Sequence, residues 1–326
     1  MRILVTGGSG YIGAHVCRLL RDRGDHVVVV DDFVTGIRDR VAEFAQLELS
    51  LAEPGAADAV AAFAREHAVD AVIHFAGRKQ VAESVEHPLM YWHDNVAGLA
   101  AVLEACAASG VEAFLFSSSA AVYGDALGHV AEGAPCTPVN PYGASKLAGE
   151  WLTADVARAS GLRATSLRYF NVAGAGWPEL ADTAVLNLVP MVMERLAAGE
   201  APRIFGDDYA TVDGTCVRDF VHVLDLAEAH LAALDALAGA PSSTHHVFNV
   251  GTGTGSSVRQ VVEGVRARWP NSAPDSPPVP AAVVEPRRPG DPAEVVADPS
   301  RIAEALGWRA RRTLDDILDS VVGACD

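Results

Sequence analysis

The sequence predicts an α/β fold: a doubly wound parallel sheet carrying a smaller C-terminal α/β lobe. Three observations lead there. Short β-branched runs alternate with longer helical patterns through the first two-thirds of the chain. A glycine-rich turn separates the first run from the first helical pattern. The alternation breaks near residue 172, where the pattern becomes less regular. At 326 residues, half of them hydrophobic, the chain is long enough for a large domain plus a second lobe.

Taken in order, Ile3–Val5, His26–Val30, Ala71–Phe75, Ala113–Ser117 and Ala164–Tyr169 are apolar runs of strand length, as expected of a sheet buried on both faces. Helical patterns lie between them at Ile12–Arg23, Ala56–His67, Val96–Ala108 and Gly143–Ser160. Beyond residue 172 the sequence predicts a helix over Leu186–Ala198 and a short strand at Pro202–Phe205. A further helix follows Val223-Leu224-Asp225, with Asp225 as its expected N-cap. Nine of the 18 prolines fall between Pro270 and Pro299. Composition alone reads as a linker there, but Arg287-Arg288-Pro289-Gly290-Asp291 and a patterned helix at Ser300–Leu306 place the stretch inside the folded lobe.

Composition bounds the function. Lys+Arg 25 against Asp+Glu 42 leaves a net charge of −17, which argues against nucleic acid and anionic membranes as partners. A small anionic ligand needs only local donors and is still allowed. Cys17, Cys106, Cys136, Cys216 and Cys325 show no C-x-x-C spacing, so neither a zinc site nor a redox motif is indicated, and buried or incidental thiols of a reducing compartment are expected. The chain opens on a strand-like run without a secretory pattern, and no apolar stretch reaches transmembrane length; a cytoplasmic protein is expected.

Gly7, Gly10 and Gly13 follow a G-x-x-G-x-x-G spacing, with a strand before and a helix after. Backbone without side chains lets a pyrophosphate reach a helix N-terminus, where free N–H groups and the dipole favour anions. The second strand ends at Asp31, 18 residues after Gly13, where a carboxylate can accept from ribose hydroxyls. A 2′-phosphate would meet both Asp31 and Asp32, so NAD is expected over NADP, although Asp32 also suits a plain N-cap.

Tyr142 and Lys146 stand four residues apart on one helix face. A free phenol titrates near ~10, and a neighbouring ammonium is expected to lower it toward the range of a useful base. By itself such a pair equally suits an amphipathic surface. The run Ser117-Ser118-Ser119 ends the fourth strand, at the sheet edge where open parallel sheets bind ligands, and supplies a hydroxyl to orient a substrate alcohol.

These residues together resemble the extended short-chain dehydrogenase/reductases, whose fold is of the Rossmann type, and within them the UDP-glucose 4-epimerases. The resemblance runs almost end to end. It is carried by the glycine turn, His74-Phe75-Ala76-Gly77, the serine run, Tyr142-x-x-x-Lys146 and Arg168-Tyr169-Phe170-Asn171. It continues through Ile204-Phe205-Gly206-Asp207-Asp208-Tyr209, Asp213-Gly214-Thr215-Cys216-Val217-Arg218-Asp219-Phe220-Val221-His222 and Arg287-Arg288-x-Gly290-Asp291.

The resemblance implies that residues 1–172, with contributions from about 215–245, form an NAD-binding domain, and that residues 173–326 form a UDP-sugar-binding lobe. It implies NAD-dependent epimerisation at C4 of a UDP-hexose through a 4-keto sugar that turns and takes hydride back on its other face, with NAD tightly bound and regenerated each turnover. Tyr142 would be the base, Lys146 its tuning cation and Ser119 the partner of the sugar hydroxyl. Gly7, Gly10, Tyr11, Ile12, Gly13, Asp31, Asp32, Phe75, Ala76, Gly77, Lys79, Asn95, Ser117, Tyr142, Lys146 and Phe170 would hold NAD. Ser119, Tyr142, Asn171, Asn187, Leu188, Phe205, Arg218, Arg288, Asp291 and Val295 would hold the UDP-sugar, the two arginines meeting the diphosphate. A homodimer is implied, through the helices at Val96–Ala108 and Gly143–Ser160.

Some positions depart from the family pattern. Phe220 replaces a common Tyr, Arg78 stands where an apolar residue is expected, and the acid near the adenine falls on neither Ser50 nor Glu53 unambiguously. Val295 is small enough at the sugar pocket to suit N-acetylhexosamines as well as hexoses. Three other activities remain in view. A dehydratase would want an acidic pair after Ser119, where Ala120 and Ala121 stand. A UDP-glucuronate 4-epimerase would want a cation between Asn171 and Asn187, where there is none, unless Arg78 reaches the carboxylate. A non-catalytic NAD sensor would tolerate erosion of Tyr142, Lys146 or Ser119, and all three are intact.

Overall fold

The computed structural model describes residues 1–270, 278–288 and 290–325. Its largest sheet has seven strands in the order His245–Val250, Arg163–Tyr169, Ala113–Ser119, Ala71–His74, Arg2–Thr6, His26–Asp31, Ala45–Glu48, with every neighbouring pair parallel. All five strands expected in this part of the chain form, with ends moved by one or two residues. Ala45–Glu48 escaped prediction because it is an edge strand with no fully buried residue. His245–Val250 escaped because it opens on two histidines rather than an apolar run.

Alternation along each strand fills two cores. Ile3, Val5, Val27, Val29, Ile73 and Leu115 face one side, against Val16 and Leu20 of helix Tyr11–Arg23 and Leu226 and Leu234 of helix Val223–Ala238. Leu4, Val28, Val30, Val72, Phe114 and Phe116 face the other, against helices Ala56–Glu66 and Gly98–Ser109. With helices on both faces, every one of these strand residues is almost wholly excluded from water.

The remaining strands build smaller sheets. Val217–His222 pairs with Asn171–Ala173, with Glu294–Ala297 and, antiparallel, with Gly255–Ser257; Gly128–Val130 completes that sheet beyond Glu294–Ala297. Arg203–Phe205 pairs with Val283–Glu285. A third core joins Val189, Val192, Ile204, Phe220, Val261 and Leu318. Residues 271–277 and Pro289 of the proline-rich stretch lie outside the described residues, but the strands Val283–Glu285 and Glu294–Ala297 build its neighbours into these sheets.

Two local expectations are corrected. Asp225 does not cap its helix. The helix starts at Val223, directly from the preceding strand, and the His222 ring caps it, accepting from the Leu224 N–H at 3.0 Å. Asp225 is instead fully buried in the first turn and accepts from the backbone N–H groups of Arg311 and Arg312 and from the Arg312 guanidinium, so it ties down the C-terminal segment. The helix expected from Val96 begins earlier, with a π-helical turn at His93–Ala97 leading into Gly98–Ser109. That irregular turn carries the buried Asn95. Among the described residues no helix is long and apolar enough to cross a membrane.

Candidate active site

The strand order reverses between Arg2–Thr6 and Ala71–His74, which opens a crevice at the C-terminal edge of the sheet. The glycine turn leaves the first of these strands, and Phe75-Ala76-Gly77 leaves the second. Gly7 has φ +70°, and a Cβ there would lie 2.6 Å from the Ala76 backbone nitrogen, so the two loops meet only through glycine. Gly10 is the N-cap of helix Tyr11–Arg23, Gly13 lies in its first turn, no side chain caps it, and the first turn holds no acid. Its positive end is therefore open to an anion. The Tyr11 hydroxyl donates to the Gly174 carbonyl, and Ile12 packs on the core. Gly7→Ala should give folded protein that has lost most of its bound dinucleotide, read by chromatography of the cofactor released on denaturation.

Asp31 is buried at the end of its strand and accepts from the N–H groups of Ser9 and Phe33, both at 2.9 Å. It therefore fixes the glycine turn and keeps lone pairs for a further donor. Asp32 is exposed and accepts from the Val34 N–H at 3.0 Å within a non-helical turn; it caps no helix, since the next helical turn, Arg38–Val41, starts from Ile37.

Across the crevice, helix Pro141–Ser160 starts at Asn140, whose side chain accepts from the Gly143 N–H at 2.8 Å, with Pro141 in the first position. This start places Tyr142 and Lys146 on the face turned to strand Ala113–Ser119. Lys146 is buried and donates from Nζ to the Ser117 carbonyl at 2.9 Å; burial pulls its pKa down to about 8. Burial pushes the Tyr142 phenol up, and the Ser119 hydroxyl beside it pulls it partly back. The expectation that Lys146 lowers Tyr142 is thereby corrected: the ammonium is directed to a backbone carbonyl, and desolvation of the phenol dominates. The Ser119 Oγ also accepts from the Ala121 N–H at 3.1 Å. Asn95 accepts from the Arg78 N–H at 2.7 Å and donates to Ser145 at 3.0 Å, locking the loop after Gly77 to the same helix. Phe75 lies against the His230 ring, Phe170 is buried with Tyr123 and Leu147, Ala76 is half-buried, and Gly77 and Lys79 are exposed.

One turn beyond Lys146 on this helix, Glu150 is buried and accepts from Ser118 Oγ and from Arg168 through Nε at 2.9 Å and Nη2 at 2.6 Å. Arg168 also donates to the Tyr123 hydroxyl at 2.9 Å. Glu150 thereby ties the helix bearing Tyr142 to two neighbouring strands, through Ser118 to the strand end bearing Ser119 and through Arg168 to Arg163–Tyr169. The spacing of Tyr142, Lys146 and Glu150, each four residues apart, was the available signal for it. Arg78 is held by Asp94 at 2.5 Å, with Glu83 at 3.9 Å.

A cavity of about 380 Å³ lies in the smaller sheets' region, and Asn171, Asn187, Leu188, Phe205, Arg218, Arg288 and Asp291 all line it. Val295 does not line it; it is in register with Arg218 and packs with Phe170 and Leu147. The Arg288 guanidinium stacks 3.7 Å from the Phe205 ring centre. Arg218 is anchored by donation to the Pro292 carbonyl at 2.8 Å and approaches Asp291 at 3.5 Å. Sequence reasoning missed Arg195 and Arg203, which also line the cavity. Arg203 could have been found, since it stands two residues before Phe205 on one strand and so shares its face. Four arginines against Glu194 and Asp291 make this cavity cationic within an acidic chain. Ser119 is in register with Tyr169, two residues before the cavity-lining Asn171, so the catalytic edge continues into it.

Residues 3–251 match the NAD dependent epimerase/dehydratase family. A UDP-glucose 4-epimerase of Corynebacterium glutamicum is 42% identical over 318 residues, 96% of this chain and 92% of the relative. One from Azospirillum brasilense is 43% identical over 326 residues, 98% and 90% of the two chains. The crystal structure of the UDP-glucose 4-epimerase of Stenotrophomonas maltophila, with bound NAD and formylated UDP-arabinopyranose, superposes with a TM-score of 0.90 at 37% identity over 99% of this chain and 97% of that one. The chain belongs to the NAD dependent epimerase/dehydratase family and, within it, groups with the UDP-glucose 4-epimerases.

Proposed function

We propose that the protein is an NAD-dependent epimerase acting at C4 of a UDP-hexose, interconverting UDP-glucose and UDP-galactose. The observation that carries this is the meeting of Tyr142, Lys146 and Ser119 at a sheet edge with the open glycine turn on one side and the arginine-lined cavity on the other. Residues 1–172 serve the dinucleotide and residues 173–326 the sugar nucleotide. The residues fit NAD: Gly7, Gly10 and Gly13 leave the helix N-terminus bare for the pyrophosphate, Asp31 has acceptor capacity for a ribose, and Asn95 and Lys146 close the far end. When bound, NAD supplies the acceptor and donor of hydride for the sugar carbon.

The chain's own groups do the proton chemistry and the holding. Tyr142 takes the proton of the 4-hydroxyl and gives it back, with Ser119 donating to the same oxygen to set its direction. Lys146, anchored on the Ser117 carbonyl, keeps its remaining donors for the ribose at the nicotinamide end. Arg218 and Arg288 hold the diphosphate, so the sugar can turn about its linkage without leaving. Ala120 and Ala121 offer no acid–base pair for expelling water, and Arg78, committed to Asp94, is not offered to a uronate carboxylate. Both facts support the hexose epimerase. The test is to incubate the protein as isolated with UDP-galactose and no added NAD: UDP-glucose should appear, and its absence from protein that retains NAD would overturn the reading.

Because Asp31 and Asp32 stand together at the ribose end, NAD should bind at least about tenfold tighter than NADP, as like charge opposes a 2′-phosphate. Asp32→Ala should narrow that ratio in a fluorescence titration, and an NADP preference in the unaltered protein would contradict the assignment. We propose also that the protein is cytoplasmic and homodimeric. Val85, Leu89, Trp92 and Trp151 are exposed on the packed helices Val81–Glu86, Pro88–Trp92 and Pro141–Ser160, which supports pairing through that face.

A further inference from the structure

Two motifs are only half used by this account. Ile204-Phe205-Gly206-Asp207-Asp208-Tyr209 contributes Phe205 to the cavity, and Arg287-Arg288-x-Gly290-Asp291 contributes Arg288 and Asp291. Asp208, Tyr209 and Arg287 do not line it. They bind each other instead. Arg287 donates from Nε to the Asp208 carboxylate at 2.5 Å and from Nη2 to the Asp208 carbonyl, and its guanidinium lies 4.0 Å over the Tyr209 ring. Beneath them sits Gly206, φ +82°, where a Cβ would lie 2.6 Å from Tyr209 Cε2 and 2.7 Å from Arg287 Cγ. Glycine is required there because the ring and the arginine stem close over it.

We propose that Arg287, Asp208 and Tyr209 form a clasp that positions the neighbouring Arg288 and Asp291 in the sugar-nucleotide cavity. The inference rests on the reading of that cavity as the UDP site. Its physical basis is the segment's few anchors. Strand Val283–Glu285 ends just before Arg287, and Glu294–Ala297 starts only after Asp291, so the described residues between them have no strand partner. Arg288 makes a stack on Phe205 and no ion pair among the described residues. Its direction into the cavity therefore depends on what fixes Arg287, immediately before it. Stacking plus a forked hydrogen-bond pair fixes a guanidinium plane in a way that an ammonium cannot reproduce. Arg287 and Asp208 are both substantially exposed, so changing them leaves the packed core intact.

A positioning role is separable from a structural one by where the loss appears. Arg287→Ala should raise KM for the UDP-sugar and weaken binding of UDP alone by about tenfold, with kcat within about twofold and NAD content unchanged. Arg287→Lys should recover only a small part of the loss, because charge without the fork and the stack does not orient the segment. Asp208→Ala should reproduce the effect in part. Adding it to Arg287→Ala should cost little more, since both act through one clasp. Calorimetric titration with UDP keeps this proposal apart from the one beneath it. Unaltered protein that does not bind UDP overturns the assignment of the cavity. UDP binding that Arg287→Ala leaves unchanged overturns the clasp alone. Additive losses in the double variant, or a fall in kcat with NAD released, would also overturn the clasp.

Discussion

Tyr142→Phe is expected to lower kcat by about three orders of magnitude, the upper part of what a positioned acid–base group contributes. The protein should meanwhile keep its NAD and its affinity for UDP. The substitution removes one oxygen and leaves the ring in its half-buried place against Tyr91. Lys146 keeps its hydrogen bond to the Ser117 carbonyl and Ser119 its bond from Ala121, so the surrounding geometry has no reason to change. The loss should therefore fall on kcat and not on KM, the pattern of an interaction made only in the transition state. Initial rates of UDP-galactose conversion, with cofactor content measured on the same sample, check it. Activity within tenfold of the unaltered enzyme would show that another group moves the proton.

The largest stability effect should come from Arg168→Leu. Glu150 and Arg168 are both almost wholly buried, and their bidentate pair is completed by Ser118 and Tyr123. Removing the guanidinium leaves a carboxylate in the interior without its counter-charge, a change that costs about 3–5 kcal/mol. Urea denaturation monitored by circular dichroism should show a loss of that size. Replacing the partner too, as Arg168→Met with Glu150→Leu, should recover much of it, because the uncompensated charge is gone. Activity should recover less than stability. Glu150 shares a helix face with Tyr142 and Lys146, and its bond to Ser118 adjoins Ser119, so the double variant refolds the core without restoring that register. Full activity in the double variant would show that the buried pair only stabilises.

Most of the dinucleotide half was legible in the sequence because its determinants are local. The strands are buried on both faces and announce themselves as apolar runs. The glycine turn lies within seven residues of chain, and Tyr142 and Lys146 are one helical turn apart. What failed depended on partners distant in sequence. Asp225 looked like a cap because acids cap helices, but its partners are Arg311 and Arg312 near the chain end. The pKa of Tyr142 follows from burial, which no spacing rule reports. Arg195 and Arg203 become cavity residues only because a helix and a short strand converge with Arg218 and Arg288. Seven residues that the resemblance assigned to the sugar nucleotide line the cavity and Val295 does not, and the resemblance could not show that Arg78 is spent on Asp94 or that Arg287 closes on Tyr209.

Isotope retention tests the central claim most directly. UDP-galactose carrying deuterium at C4 should be converted, without added NAD, to UDP-glucose that retains the deuterium at C4, because the hydrogen leaves and returns within one closed site. Mass spectrometry and proton NMR of the product read this in one experiment. Exchange of the label for solvent hydrogen, or failure to form UDP-glucose from protein loaded with NAD, would contradict the account.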